Sequence, residues 1–123
     1  MKKIIVLLAL LLSLTACGKQ QEEEKKDLLA TIKERGTLVV ATEGDWSPYT
    51  YHDEETNELV GFDVELGKMI ADKLGVKVEY KETDWDSILA GVQSGSFDLG
   101  INGITYSEER AQSFNFSTPY LYD

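Results

Sequence analysis

From Asp27 onward one pattern recurs: a short run of apolar or β-branched residues, then an amphipathic segment, then a glycine. Two strands can lie parallel only when a crossover of about a dozen residues or more separates them. A chain that alternates in this way is therefore held to an α/β architecture, a largely parallel sheet flanked by helices. Asp27 to Arg35 reads as a helix, with Leu28, Leu29 and Ile32 on one side and Gly36 as its stop. Thr37 to Thr42 (TLVVAT) reads as a buried strand. Tyr49 to His52 and Glu58 to Phe62 form a hairpin around the polar turn Asp53 to Asn57. Asp63 is placed to cap a helix running to Leu74, where Val64, Ile70, Ala71 and Leu74 share a face and Gly75 ends it. Val76 to Tyr80 alternates as a strand, Trp85 to Ser94 is a helix stopped by Gly95, and Phe97 to Ile101 is another buried strand. A short helix from Ser107 to about Gln112 and a strand fragment over Phe114 to Ser117 complete the pattern.

Ligands of such sheets sit outside the carboxyl ends of the strands. Three loops fall there: Glu43 to Pro48, Thr83 to Trp85 and Asn102 to Arg110. In the third, Gly103 permits a tight turn that leaves backbone N–H groups and the Thr105 hydroxyl free to point outward. Ser107 suits the N-cap of the helix after it, yet its third helical position holds Arg110 rather than the Glu or Gln of a capping box. A cation in a first turn opposes the helix dipole unless an anion is near. Glu108 and Glu109 would supply that anion; the alternative is the carboxylate of a ligand, held by Arg110 in a two-pronged pair. Trp46 and Trp85 occupy the other two loops, either as packing at the sheet edge or as aromatic walls around a ligand side chain. Glu43, Asp45, Asp84 and Asp86 flank them, Asp84 being placed to cap the helix at Trp85. An acid facing the site would favour a basic or amide side chain on the ligand.

Enzymatic and metal readings find few residues to use. His52 is the sole histidine, so neither a Ser-His-Asp nor a Cys-His arrangement can be built. The sequence carries no metal-ligand spacing and no glycine-rich phosphate loop, and no catalytic group, metal or cofactor is expected. A formal charge of −10 disfavours a nucleic-acid surface, which needs clustered Lys and Arg. The 123 residues can bury the core of one small domain but not of two.

The amino-terminal segment reads as an address. Met1-Lys2-Lys3 is basic, and Ile4 to Leu12 is an apolar run too short to span a bilayer but suited to the core of a signal peptide. Leu14-Thr15-Ala16-Cys17 resembles the bacterial lipobox, which implies cleavage before Cys17 and a lipid on its sulfur. Cys17 is the sole cysteine, so no internal disulfide can form. Residues 17–26 then read as a polar tether, and the expected organisation is a lipoprotein signal over 1–16, the tether, and a folded lobe over 27–123.

At the three loops the sequence resembles the polar amino-acid family of bacterial solute-binding proteins, family 3, the receptors of ABC importers. The matching stretches are TEGDWSPY (Thr42 to Tyr49), LVGFDVELGKMIADKL (Leu59 to Leu74), WDSILAGVQSGSFD (Trp85 to Asp98) and NGITYSEERAQSFNFSTPY (Asn102 to Tyr120). The resemblance implies that Arg110 pairs with the α-carboxylate of a free amino acid, polar or basic. It implies that Thr105 and the backbone around Asn102 and Gly103 bond the head group. Trp46 and Trp85 would sandwich the side chain, and Glu43 falls where members with basic ligands place an acid. It further implies a periplasmic-binding-protein-like lobe anchored outside the cytoplasmic membrane through Cys17, working with ABC permease subunits. Members have two lobes and roughly twice this length, so the chain corresponds to the first lobe with the second absent, and half a cleft is expected to bind at millimolar strength or weaker, about 4 kcal/mol. Periplasmic dehydratases on the same fold, and sensory ligand-binding lobes, are the alternatives.

Overall fold

The computed structural model describes residues 27–122, so the signal and tether expected over residues 1–26 lie outside the described residues. Asp27 caps helix α1 (Leu28–Arg35), its carboxylate accepting from the Ala30 N–H, and Gly36 closes it in the left-handed conformation. Ile32 of this helix enters the core, whereas Leu28 and Leu29 stay exposed. Strand β1 (Thr37–Thr42) comes next, with the bounds that its apolar run dictates. It is the middle strand of a parallel sheet, with β5 (Lys77–Glu82) on one side and β6 (Leu99–Gly100) on the other. A central strand covered on both faces needs apolar side chains on both, and Leu38, Val40 and Ala41 are all buried.

A second, antiparallel sheet is built from β2 (Asp45–Trp46), β3 (Thr50–His52) and β4 (Leu59–Val60). Its turn is set by Asp53, whose carboxylate accepts from the N–H groups of Glu55 and Thr56 and from the Thr56 hydroxyl, holding it below the usual carboxylate range. Helix α2 (Phe62–Leu74) packs Val64, Ala71, Ile70 and Leu74 toward the parallel sheet. Helix α3 (Trp85–Ser94) is capped by Asp84 and contributes the fully buried Ile88; the short helix α4 (Glu108–Ala111) is capped by Ser107. One core joins α1, β1 and α2 through Ile32, Leu38, Val40, Ala71 and Ile101. Each of the Ile, Leu and Val side chains stabilises the fold by about 1.5–3 kcal/mol through removal from water.

The chain departs from its sequence pattern at several places. The loop Glu43 to Pro48 contains β2, because Asp45 and Trp46 pair with Tyr51 and Thr50. The hairpin's second strand is only Leu59–Val60, since Phe62 already belongs to α2. The strand expected over Val76 to Tyr80 runs instead from Lys77 to Glu82, in register with all of β1. The strand expected over Phe97 to Ile101 shrinks to Leu99–Gly100, the residues paired with Val40 and Ala41, and Phe114 to Ser117 has no strand partner among the described residues. Asp63 is not a cap: α2 starts one residue before it, after Gly61. The Phe62 and Asp63 N–H groups are satisfied by the carbonyls of Pro48 and Tyr49, so the helix needs no side-chain cap.

The two sheets are linked by His52, whose Nε2 meets Glu82 Oε2 at 2.7 Å while Nδ1 meets the Asn57 carbonyl at 2.9 Å. With an acceptor at each nitrogen the imidazolium is favoured, and the Glu82 bond foremost raises the His52 pKa above 6.5. A folded-state pKa above the unfolded one contributes stability that is complete below pH 6.5 and lost as pH rises through the folded value. An NMR titration of this sole histidine is expected to show a raised midpoint, and Glu82→Gln to return it toward 6.5. A midpoint unmoved by Glu82→Gln would disprove the pairing.

Candidate functional site

Both β1 and β6 deliver their carboxyl ends to the same place, and one buried side chain joins the loops that leave them. Asn102, 3% exposed, accepts at Oδ1 from the Glu43 N–H and from the Thr42 hydroxyl, both at 2.9 Å. Its Nδ2 donates to Glu43 Oε2 at 2.6 Å. Thr42 in turn accepts from the Thr50 hydroxyl at 2.9 Å, since its own proton is engaged by Asn102. The Asn102 side chain is thus consumed in fastening the loop after β1 to the turn after β6. The backbone around Asn102 and Gly103 is the part expected to bond a head group; the Asn102 side chain is the knot behind that turn.

Beyond that knot lies an open cleft of about 410 Å³, within the range of small-molecule sites. Three stretches line it: Trp46 with Tyr49, the run Gly103 to Tyr106, and Phe116 and Ser117 with Pro119 to Tyr122. Of the residues expected at a site, Trp46, Gly103 and Thr105 face this cleft, and Trp46 is 55% exposed. Glu43, Trp85 and Arg110 are not part of its lining. Glu43 is turned to Asn102 instead. Sequence reasoning misses the third stretch as a lining: Phe114 to Ser117 reads as a strand fragment, and its only sequence signal is the Pro119-Tyr120 step beside it.

Arg110 stands next to the cleft. Its Nη1 donates to the Thr105 carbonyl at 2.8 Å, and its guanidinium carbon lies 5.5 Å from the centre of the Trp85 ring. That cation–π contact brings together two residues far apart in sequence. The chain has two arginines. Arg35 is paired with Asp98, whose carboxylate also accepts from the Val39 N–H. Among the described residues Arg110 forms no ion pair with Glu108, Glu109 or any other acid, although both glutamates share its helix α4. The arrangement offers a guanidinium without a counter-ion among the described residues, the Thr105 hydroxyl and an exposed indole, which suits a small zwitterion with a carboxylate end; the Gly103 N–H, expected to point outward, is instead taken by Asp63.

Among the described residues no cluster of acids and His could hold a metal, and no helix is long and apolar enough to cross a membrane. The sequence pattern of the "Bacterial extracellular solute-binding proteins, family 3" matches residues 38–123. The L-cystine-binding protein TcyA of Bacillus subtilis is 41% identical over 98% of this chain, which spans 48% of that protein's length. A cyclohexadienyl dehydratase of Pseudomonas aeruginosa is 34% identical over 99% of this chain and 44% of its own. The crystal structure of the arginine-bound form of domain 1 from TmArgBP has a TM-score of 0.71 at 38% identity, covering 73% of this chain and 71% of that one. The chain therefore spans about half the length of the curated relatives it matches.

Proposed function

The chain belongs to the bacterial extracellular solute-binding proteins, family 3, and on that premise we propose that it is the first lobe of an extracytoplasmic receptor that captures a free amino acid for an ABC importer. The observation that carries the proposal is the state of Arg110: a half-buried guanidinium beside a cleft, held by the Thr105 carbonyl and the Trp85 ring, with no carboxylate of its own chain. A ligand α-carboxylate supplies the missing anion in a bidentate, charge-assisted pair. The Gly103 to Thr105 turn meets the head group, and Trp46 offers a face to the side chain. Trp85 supports Arg110 rather than standing opposite Trp46 in the cleft lining. Glu43 tunes the site through Asn102, because its carboxylate is already bonded there. A lipid on Cys17, with residues 17–26 as tether, would keep the lobe beside its permease subunits.

A polar or basic amino acid fits this chemistry, and the names of the relatives support L-cystine or L-arginine as the first probes. The arginine-bound domain of TmArgBP supports a lobe of this size holding a ligand by itself, so binding by the 123-residue chain is expected to be measurable, at millimolar strength. An NMR titration of the ¹⁵N-labelled chain is expected to give saturable shifts at Gly103, Thr105 and the Arg110 side chain. No shift with either amino acid would end the proposal, as would turnover of a cyclohexadienyl substrate.

A further inference from the structure

The first stretch that lines the cleft is more than fifty residues of chain from the other two, yet all three are fastened from behind to one point, the first turn of α2. The stretch after β2 is held by two backbone bonds, Phe62 N–H to the Pro48 carbonyl at 3.0 Å and Asp63 N–H to the Tyr49 carbonyl at 2.8 Å. These bonds replace a side-chain cap and leave the Asp63 carboxylate free for remote partners. One of its oxygens accepts from the Gly103 N–H at 2.6 Å, and the other from the Tyr120 hydroxyl at 3.1 Å. Asp63 is 1% exposed, and the Phe62 ring beside it in sequence stacks with the Tyr120 ring at 6.0 Å between centroids.

We infer that Asp63 is the positioning residue of the cleft: from the start of α2 its carboxylate clamps the Gly103 turn to the Tyr120 segment and sets the spacing of the walls between which a ligand would lie. The chemistry suits a permanent clamp. Burial pushes the Asp63 carboxyl up, while the Gly103 N–H, the Tyr120 hydroxyl and the positive end of α2 all favour the charged form. The Tyr120 phenol is itself pushed up by burial and by the Asp63 charge, which keeps it protonated and able to donate. Each oxygen therefore holds one wall, and removing either donor leaves a buried charge less satisfied. Asp63 is not needed as a side-chain cap, since the first N–H groups of its helix are satisfied by carbonyls.

The inference rests on the proposed amino-acid site for its consequence but not for its test. In the ligand-free 123-residue chain, Tyr120→Phe is expected to speed hydrogen exchange of the Gly103 amide about tenfold, the described hydrogen bonds joining Tyr120 to that amide through Asp63. Asp63→Asn is expected to do the same and to move the Gly103 amide resonance further. With L-arginine or L-cystine as titrant, whichever binds the unsubstituted chain, Tyr120→Phe should weaken binding by about threefold to tenfold at a temperature where the variant remains folded. An unaltered Gly103 exchange rate in Tyr120→Phe would overturn the clamp. A faster rate with unchanged affinity would overturn its positioning role. If the clamp responds but neither amino acid binds the unsubstituted chain, the inference about the walls stands and the amino-acid reading falls. Tyr120→Phe keeps the test open should Asp63→Asn not fold.

Discussion

Arg110→Ala is expected to abolish saturable binding of every amino acid while leaving the fold intact. The guanidinium has no acid to lose, because none of its own chain pairs with it among the described residues. Truncation removes the Thr105 carbonyl bond and the contact with Trp85, both at a partly exposed position, which places the stability change within about 1 kcal/mol. The effect on a bound carboxylate is of another order. Losing a charge-assisted pair whose partner stays desolvated costs about 2–5 kcal/mol, roughly thirtyfold to several-thousandfold in affinity. Starting from millimolar binding, that places the variant beyond titration. Arg110→Lys separates charge from geometry: an ammonium keeps the attraction but loses the fork and the stacking on Trp85. It should retain weak binding with a stronger dependence on salt. Equal affinity in Arg110→Ala would remove the carboxylate assignment, and with it the observation on which the proposed function rests.

The range of each interaction decides how much of the fold and the site is legible in the sequence. β1 shows its bounds there because both of its faces are buried, so six successive residues need to be apolar or β-branched with no polar interruption. Asp84 and Ser107 announce their caps because a cap is a bond across three residues. Arg110 is conspicuous in the sequence as a cation where a capping box would hold Glu or Gln, and the structure gives it the Thr105 carbonyl and the Trp85 ring as partners rather than an ion pair among the described residues. Asp63 misleads for the opposite reason. Its motif looks like a local cap, but its partners lie forty and fifty-seven residues away, and no periodicity encodes them. The mutual contact of the Asn102 and Glu43 side chains is illegible for the same reason: both stand on the expected loops, but the bond that joins them spans fifty-nine residues. The shortened β6 has a related cause, since two of its residues find a partner in β1 and its other edge finds none among the described strands.

Gly61→Ala is expected to be the most damaging single-methyl change in the chain. Gly61 has φ 127° and ψ 172°, a region that is nearly closed to residues with a Cβ and costs about 1–3 kcal/mol to enter. A Cβ built there would lie 2.3 Å from the Tyr49 carbonyl oxygen and 2.6 Å from its carbon. Those are backbone atoms, unable to turn aside as a side chain would. The carbonyl in question also receives the Asp63 N–H, so relief of the clash breaks a buried bond and lifts the Trp46–Tyr49 wall from α2. Strain, contact and lost bond together make a destabilisation of about 3 kcal/mol or more, a large share of the roughly 5–15 kcal/mol that holds a domain folded. Gly75→Ala supplies the control: it too has positive φ, 71°, but nothing within 4 Å of the added methyl, and should cost about 1 kcal/mol. Chemical denaturation of the two variants is expected to separate their midpoints widely, with Gly61→Ala the lower. Coincident midpoints would mean that α2 can begin without this close approach, and that the wall it supports is not fixed by the backbone.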